Sequence, residues 1–257
     1  MKTHRPSAVS LPRLNGRFIY ASFHAASATF IFGIMVMIFT LFRAPLKWSE
    51  WASVCWARWI LWASAMDVKL YGLEDLPATP AVLVGNHQGM FDILVLMKYL
   101  PRPPVFVAKQ ELFRIPVLGP GMRAFGHISV DRKNSEKAIA SIQTGKEQLL
   151  KYQQQVIFFP EGTRTRDGKM LPFKKGAFVF ALESGLPIVP FCVRGSYEAL
   201  PPGVKVVRPG LIEVAFLTPI DPATYPAFAT KEELIEHVYA LIENQLVEME
   251  TAFSERE

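Results

Sequence analysis

The sequence predicts an α/β protein: a mixed, largely parallel sheet flanked by helices, preceded by an N-terminal membrane helix or helical hairpin. Three observations carry this expectation. A long uncharged apolar run opens the chain, and from residue 67 short apolar runs alternate with helical stretches. Half of the 257 residues (50%) are hydrophobic and 20% are charged, which supplies a substantial core and excludes wholesale disorder.

The apolar run extends from Phe18 to Phe42, 25 residues without a formal charge between Arg17 and Arg43. At about 1.5 Å per residue a helix of that length reaches roughly 37 Å, beyond the roughly 30 Å hydrocarbon core of a bilayer. It exceeds a signal-peptide core of about 7–15 residues. The Ala-x-Ala triplet at Ala26–Ala28 precedes the most apolar part, Phe30–Phe42, so the run reads as an uncleaved anchor. All 5 tryptophans follow, from Trp48 through Trp51, Trp56 and Trp59 to Trp62. Four of them, Trp56 apart, fall near one helical face, and Trp favours the headgroup level. Two helices joined at Ala44-Pro45 form either a hairpin dipping into one leaflet or a span followed by an interfacial helix. Cations flank both ends of the run, so charge does not orient it. His24 reads as an interfacial histidine with no role. Residues 1–66 are therefore expected to anchor a domain covering 67–257.

In that domain Ala81–Gly85 reads as a buried strand, Phe91–Leu100 as a helix, and Val105–Ala108 and Ile128–Val130 as strands. Ser135–Gln153 has the pattern of an amphipathic helix and Val156–Phe159 that of a strand. Gly176–Glu183 reads as a helix stopped at Gly185, and Ile188–Val193 as a strand. Val204–Val207 and Leu211–Leu217 suit a hairpin around Pro209-Gly210, and Lys231–Met249 a charged terminal helix. The net charge is +5, yet the segment from Lys231 onward carries −6 and the preceding body +11. Such a body attracts anionic partners. Two cysteines, Cys55 and Cys192, are too few for a disulfide framework or a multi-cysteine zinc site.

Several chemistries are excluded by missing motifs: Gly-x-Ser-x-Gly, the Walker A loop and His-Glu-x-x-His do not occur. Gly119-x-Gly121-x-x-Ala124 resembles a dinucleotide fingerprint weakly, but with Pro120 inside it and no clear strand before it, a turn is expected.

Two segments carry chemistry. In the first, Gly85–Asp92, His87 follows a buried strand and Asp92 stands where the next helix begins. Folded together across that turn, the carboxylate fixes the imidazole tautomer and leaves the other nitrogen as a base. Read blandly, Asp92 only caps the helix. In the second, Phe159–Arg164, Gly162 permits close backbone approach and Arg164 offers a planar fork for phosphate oxygens. Arg166, Lys169, Lys174 and Lys175 succeed it, and Lys109, Arg132 and Lys133 lie at other strand ends. Loops after strands are where α/β sheets place ligands, although most basic clusters are a solvated rim.

Together NHQGMFD (Asn86–Asp92) and FPEGTR (Phe159–Arg164) resemble the glycerolipid acyltransferases typified by 1-acyl-sn-glycerol-3-phosphate acyltransferase. The family's four blocks occur in order: Asn86–Asp92, then Lys109–Arg132 ending in Val130-Asp131-Arg132, then Phe159–Arg164, then Ile188–Val193. The resemblance covers roughly residues 70–220. It implies acyl transfer from acyl-CoA or acyl carrier protein to the sn-2 hydroxyl of a lysophospholipid. His87 corresponds to the base and Asp92 to its orienting acid. Glu161, Gly162, Thr163 and Arg164 match the acceptor-binding block, and Lys109 and Arg132 match positions that help hold phosphate. One departure is Gly89, where many members carry Ser or Asn, and this puts acceptor preference in doubt.

The implied mechanism is direct transfer without an acyl-enzyme, since neither cysteine lies in a motif. Backbone N–H groups of the His87 turn are the candidates for stabilising the oxyanion. No metal or prosthetic group is implied. The expected partners are membrane phospholipids, the lysophospholipid acceptor and the thioester donor, with no nucleic acid. The expected site is the cytoplasmic face of a bacterial inner membrane. Two alternatives stay open: another lyso-acceptor, such as a lyso-ornithine lipid, and a non-catalytic protein that binds anionic lipid.

Overall fold

A computed structural model describes residues 15–78, 80–131, 149–150 and 153–255. Seven strands make one sheet in the order β1-β7-β6-β2-β5-β3-β4. They are β1 (Met66–Tyr71), β2 (Val82–Gly85), β3 (Val105–Lys109), β4 (Ile128–Val130), β5 (Val156–Phe158), β6 (Ile188–Arg194) and β7 (Gly210–Phe216). From β6 to β4 the strands are parallel; β7 is antiparallel to β6 and parallel to β1. The parallel strands therefore end together along one edge, where the loops after β2 and β5 lie side by side.

Strand side chains alternate between two cores, as the two-residue period requires. Leu83 and Ile157 face a cluster shared with α1 (Gly16–Leu41), α2 (Leu46–Ala63) and α3 (Phe91–Tyr99). Val82, Val84, Val156 and Phe158 face a second cluster under α5 (Gly176–Ser184) and α7 (Lys231–Ser254). Gly185, at φ 64°, stops α5 in the left-handed conformation that glycine adopts without strain. Thr230 caps α7 by accepting from Glu233 N at 3.2 Å, while the Glu233 carboxylate takes Ala229 N at 2.7 Å. That helix buries Leu234, Val238, Ile242, Leu246 and Met249, a stripe at helical spacing. Two shorter helices, α4 (Leu118–Phe125) and α6 (Ser196–Ala199), complete the fold.

Helices α1 and α2 form an antiparallel hairpin. Trp56 Nε1 donates to Thr29 Oγ1 at 3.0 Å and Trp59 Nε1 to His24 Nδ1 at 2.9 Å. His24 is thus an inter-helix acceptor, and Trp59 turns onto α1 instead of sharing the outer face with Trp48, Trp51 and Trp62. Among the described residues α1 is the one helix long and apolar enough to cross a membrane. One side of it packs on α2 and α4, while Phe23, Phe30, Ile31 and Ile38 remain exposed, as do Trp48, Trp51 and Trp62 of α2.

Two expectations are corrected. The residues around Gly119 form helix α4, not a turn. Gly119 lies against Phe113 O, where an added Cβ would collide, whereas a Cβ at Gly121 would make only ordinary contact with Gly33. Gly119 therefore serves the packing of α4 on the segment before it. Val204–Val207 forms no strand, because Lys205 O and Val207 O accept from the backbone and side chain of Asn15, which caps α1; β7 pairs with β1 and β6 instead. Strand β1 was not anticipated. The stretch Ser135–Gln153 lies almost wholly outside the described residues.

Candidate active site

The turn after β2 is held from three directions. Asn86 bridges to β6: its Nδ2 donates to Val193 O at 2.8 Å and its Oδ1 accepts from Val193 N at 2.7 Å. Asp92, fully buried in the first turn of α3, accepts three hydrogen bonds on Oδ2. They come from His87 Nδ1 at 2.7 Å, Gln88 N at 2.8 Å and Gly89 N at 2.9 Å. The ionised carboxylate accepts only, so it assigns the imidazole proton to Nδ1 and leaves Nε2 unprotonated.

The loop after β5 grips the same histidine. The ring of Phe159 stacks on that of His87, with centroids 4.1 Å apart and planes inclined 15°. Glu161 Oε1 accepts from His87 N at 2.7 Å, and Thr165 N donates to His87 O at 3.0 Å. The other Glu161 oxygen accepts from Leu171 N at 3.0 Å. Burial pushes the Glu161 pKa up to about 7, the two backbone N–H groups pull it down, and the charge of nearby Asp92 pushes it up. His87 keeps 11% of its side chain exposed, enough for a substrate to reach its free edge.

Beside the dyad opens a cavity of about 330 Å³, within the roughly 300–1,000 Å³ of small-molecule sites. Met90, three residues after His87, lines it, and Ile93 and Met97 continue along α3. Phe32 and Gly33 of α1 and Trp56 of α2 form the opposite wall. Its polar lining groups are largely spent: Thr29 receives Trp56, Ser53 donates to Ser49 O, and His127 Nδ1 accepts from Phe106 N at 3.1 Å. Burial holds the His127 pKa down to about 4, so the ring is neutral. The space suits an alkyl chain.

A family profile described as Acyltransferase matches residues 67–194. The 1-acyl-sn-glycerol-3-phosphate acyltransferase of Limnanthes douglasii is 38% identical over 162 residues, 63% of this chain and 57% of that one. That of Salmonella typhimurium is 33% identical over 177 residues, 69% of this chain and 71% of its own. The chain belongs to this acyltransferase family. The crystal structure of the Thermotoga maritima 1-acyl-sn-glycerophosphate acyltransferase, PlsC, superposes with a TM-score of 0.78 at 26% identity, covering 91% of this chain and 95% of that one. The match spans little more than half the length of the plant relatives, 57% and 58% in Limnanthes douglasii and Cocos nucifera.

In this family member the structure brings together His87, Asp92 and Glu161, with Gly162 and Arg164 on the loop that carries Glu161. Glu161 points inward, with both oxygens on backbone N–H groups, while Thr163 is exposed and Arg164 half-buried. Lys109, at the end of β3, pairs with Glu111 at 3.1 Å on the surface. Arg132 lies outside the described residues. The expected oxyanion donors do not fit, because the N–H groups of His87, Gln88 and Gly89 are all spent on Glu161 and Asp92.

Sequence reasoning missed the amide bridge of Asn86, the Phe159 stack and the Thr165 clip. For the first two, adjacency to His87 and Glu161 in the motifs was the available signal. It also missed why residue 89 is glycine. A Cβ there would stand 2.3 Å from Ser196 Oγ and 2.6 Å from Ser196 O, so α6 leaves no room for a side chain.

Proposed function

We propose that the protein transfers an acyl chain from a thioester to the sn-2 hydroxyl of 1-acyl-glycerol-3-phosphate, giving phosphatidic acid. The observation that carries the reading is a fixed His–Asp pair beside an apolar cavity and a half-buried arginine. His87 Nε2 takes the hydroxyl proton as the oxygen attacks the thioester carbonyl. The C–S bond then breaks, and the thiolate recovers the proton from the imidazolium, whose charge Asp92 offsets. The cavity takes the transferred chain, and Arg164 the acceptor phosphate. Thr163 and Gly162 shape that loop, and the family resemblance adds Lys109 and Arg132 as further phosphate contacts.

Neither thiol is needed as a nucleophile: Cys192 is buried in β6, and burial pushes its pKa well above the usual thiol range. The donor is acyl-CoA or acyl carrier protein, and no metal or prosthetic group enters the mechanism. Residues 1–66 seat the domain of residues 67–257 on a lipid surface, at the cytoplasmic face of a bacterial inner membrane. The exposed aromatic and aliphatic band of α1 and α2 supports this, as does a +11 body facing anionic headgroups.

The test is transfer from labelled acyl-CoA and acyl carrier protein to a panel of lyso-acceptors, using the full-length protein in membranes. Lysophosphatidate is expected to be the best acceptor. Preference for a lyso-ornithine lipid or a neutral lysophospholipid would overturn that choice, and no transfer at all would leave a lipid-binding protein.

A further inference from the structure

Gly162, at φ +73°, leaves open a space that another part of the chain fills. A side chain at this position would begin 2.7 Å from Lys174 Nζ, 3.3 Å from its Cε and 3.4 Å from its Cδ. Lys174 arrives there because its own N–H donates to Pro160 O at 2.9 Å, so the segment after the FPEGTR motif doubles back and lays the lysine stem across the glycine. The glycine therefore serves first to admit a cation.

That cation is not neutralised by the protein. Among the described residues Lys174 Nζ has no carboxylate partner. Glu161, next to Gly162, is spent on His87 N and Leu171 N. Arg164, two residues beyond Gly162, is half-buried and also lacks an ion pair there. Lys109 differs, being already paired with Glu111. Lys174 is exposed and Arg164 half-buried, and both cations belong to the segment after β5 that grips His87, so their charge attracts an anion. An ammonium on a flexible stem, with a planar guanidinium fork on the same segment, suits the several oxygens of a phosphate.

We infer that Lys174 binds the phosphate group of a substrate, jointly with Arg164. The inference rests on the proposed acyl transfer and deepens it by naming a residue that holds substrate charge. Both the acceptor headgroup and the CoA of the donor carry phosphate, so the test separates them.

The experiment is steady-state kinetics of the full-length protein in detergent or vesicles, comparing wild type, Lys174→Met and Lys174→Arg. Lys174→Met is expected to raise the KM for lysophosphatidate about tenfold, the loss of one charge-assisted hydrogen bond, with little change in kcat or thermal midpoint. Lys174→Arg is expected to recover most of that loss. A rise confined to the KM for acyl-CoA, and missing for an acyl-pantetheine that lacks the nucleotide phosphates, would assign the bound phosphate to the donor. Unchanged KM values for both substrates in Lys174→Met would overturn the role of Lys174. Failure of wild type to use lysophosphatidate would instead overturn the functional reading, which the wild-type assay decides alone.

Discussion

Glu161 Oε1 stands 2.7 Å from the backbone nitrogen of His87, joining two motifs that are 74 residues apart. Because the second oxygen holds Leu171 N, this one buried carboxylate sets the position of the His87 turn relative to the loop after β5. Glu161→Ala leaves two N–H groups unpaired, each costing about 1–3 kcal/mol if it stays buried. The expected result is a lower thermal midpoint and a kcat reduced more than the KM for either substrate. Steady-state kinetics beside thermal melts check it, and a change in acceptor KM alone would mean direct contact with the acceptor.

The same carboxylate predicts a pH dependence of stability. Its pKa rises from 4.5 to about 7 on folding, chiefly through burial. Between those values the folded protein keeps a proton that the unfolded chain has released, so stability falls as pH rises through that window and levels off above it. The magnitude is on the order of a few kcal/mol. Thermal melts of wild type and Glu161→Gln from pH 4.5 to 8 should show the slope in the former and a flatter profile in the latter.

His87→Ala should remove about 10²–10⁴-fold of the rate, the usual contribution of a positioned base. Asp92→Asn should also lower kcat severely, since an amide cannot accept as an anion from His87, Gln88 and Gly89 together. The double variant should be scarcely worse than His87→Ala, because groups acting as a unit are non-additive. Additive losses would mean that the two residues act separately.

Arg164→Ala should raise the KM for lysophosphatidate with little change in the donor KM. Arg164→Lys should recover only part, lacking the bidentate fork. Competition by glycerol 3-phosphate offers a second readout: it should weaken in Arg164→Ala.

Ala108 lines the cavity from β3 and is nearly buried. Ala108→Phe should shift donor preference toward shorter acyl thioesters, measured across a chain-length series. Uniform loss at every length would point to overpacking instead.

How much of this was legible in the sequence depended on burial. Strands β2, β5 and β6 are covered on both faces, and such strands read as continuous apolar runs. Strand β1 mixes Asp67 and Lys69 with apolar residues because it lies at the sheet edge, and its run was too diluted to register. Helix α4 contains Gly119, Pro120 and Gly121, which local propensity assigns to a turn; close packing of Gly119 against Phe113 decides otherwise. At the site, spacing offered the His87–Asp92 pairing beside a plain helix cap, and the family resemblance chose between them. The inward direction of Glu161 and the return of Lys174 over Gly162 were not legible, because both depend on the path of the chain between residues 165 and 174.

The two sides of α1 differ in a way that bears on the lipid's journey. Residues such as Ala25 and Phe32 line the cavity, while Phe23, Phe30 and Ile31 are bare on the other side. If that outer side rests in a leaflet, a single helix thickness separates bound chain from bilayer. Passing an alkyl tail through water costs about 0.8 kcal/mol per methylene, more than 10 kcal/mol for a sixteen-carbon chain. A phosphatidate that slides out past α1 never meets that barrier, so the product would leave sideways into lipid while the spent thiol leaves into water.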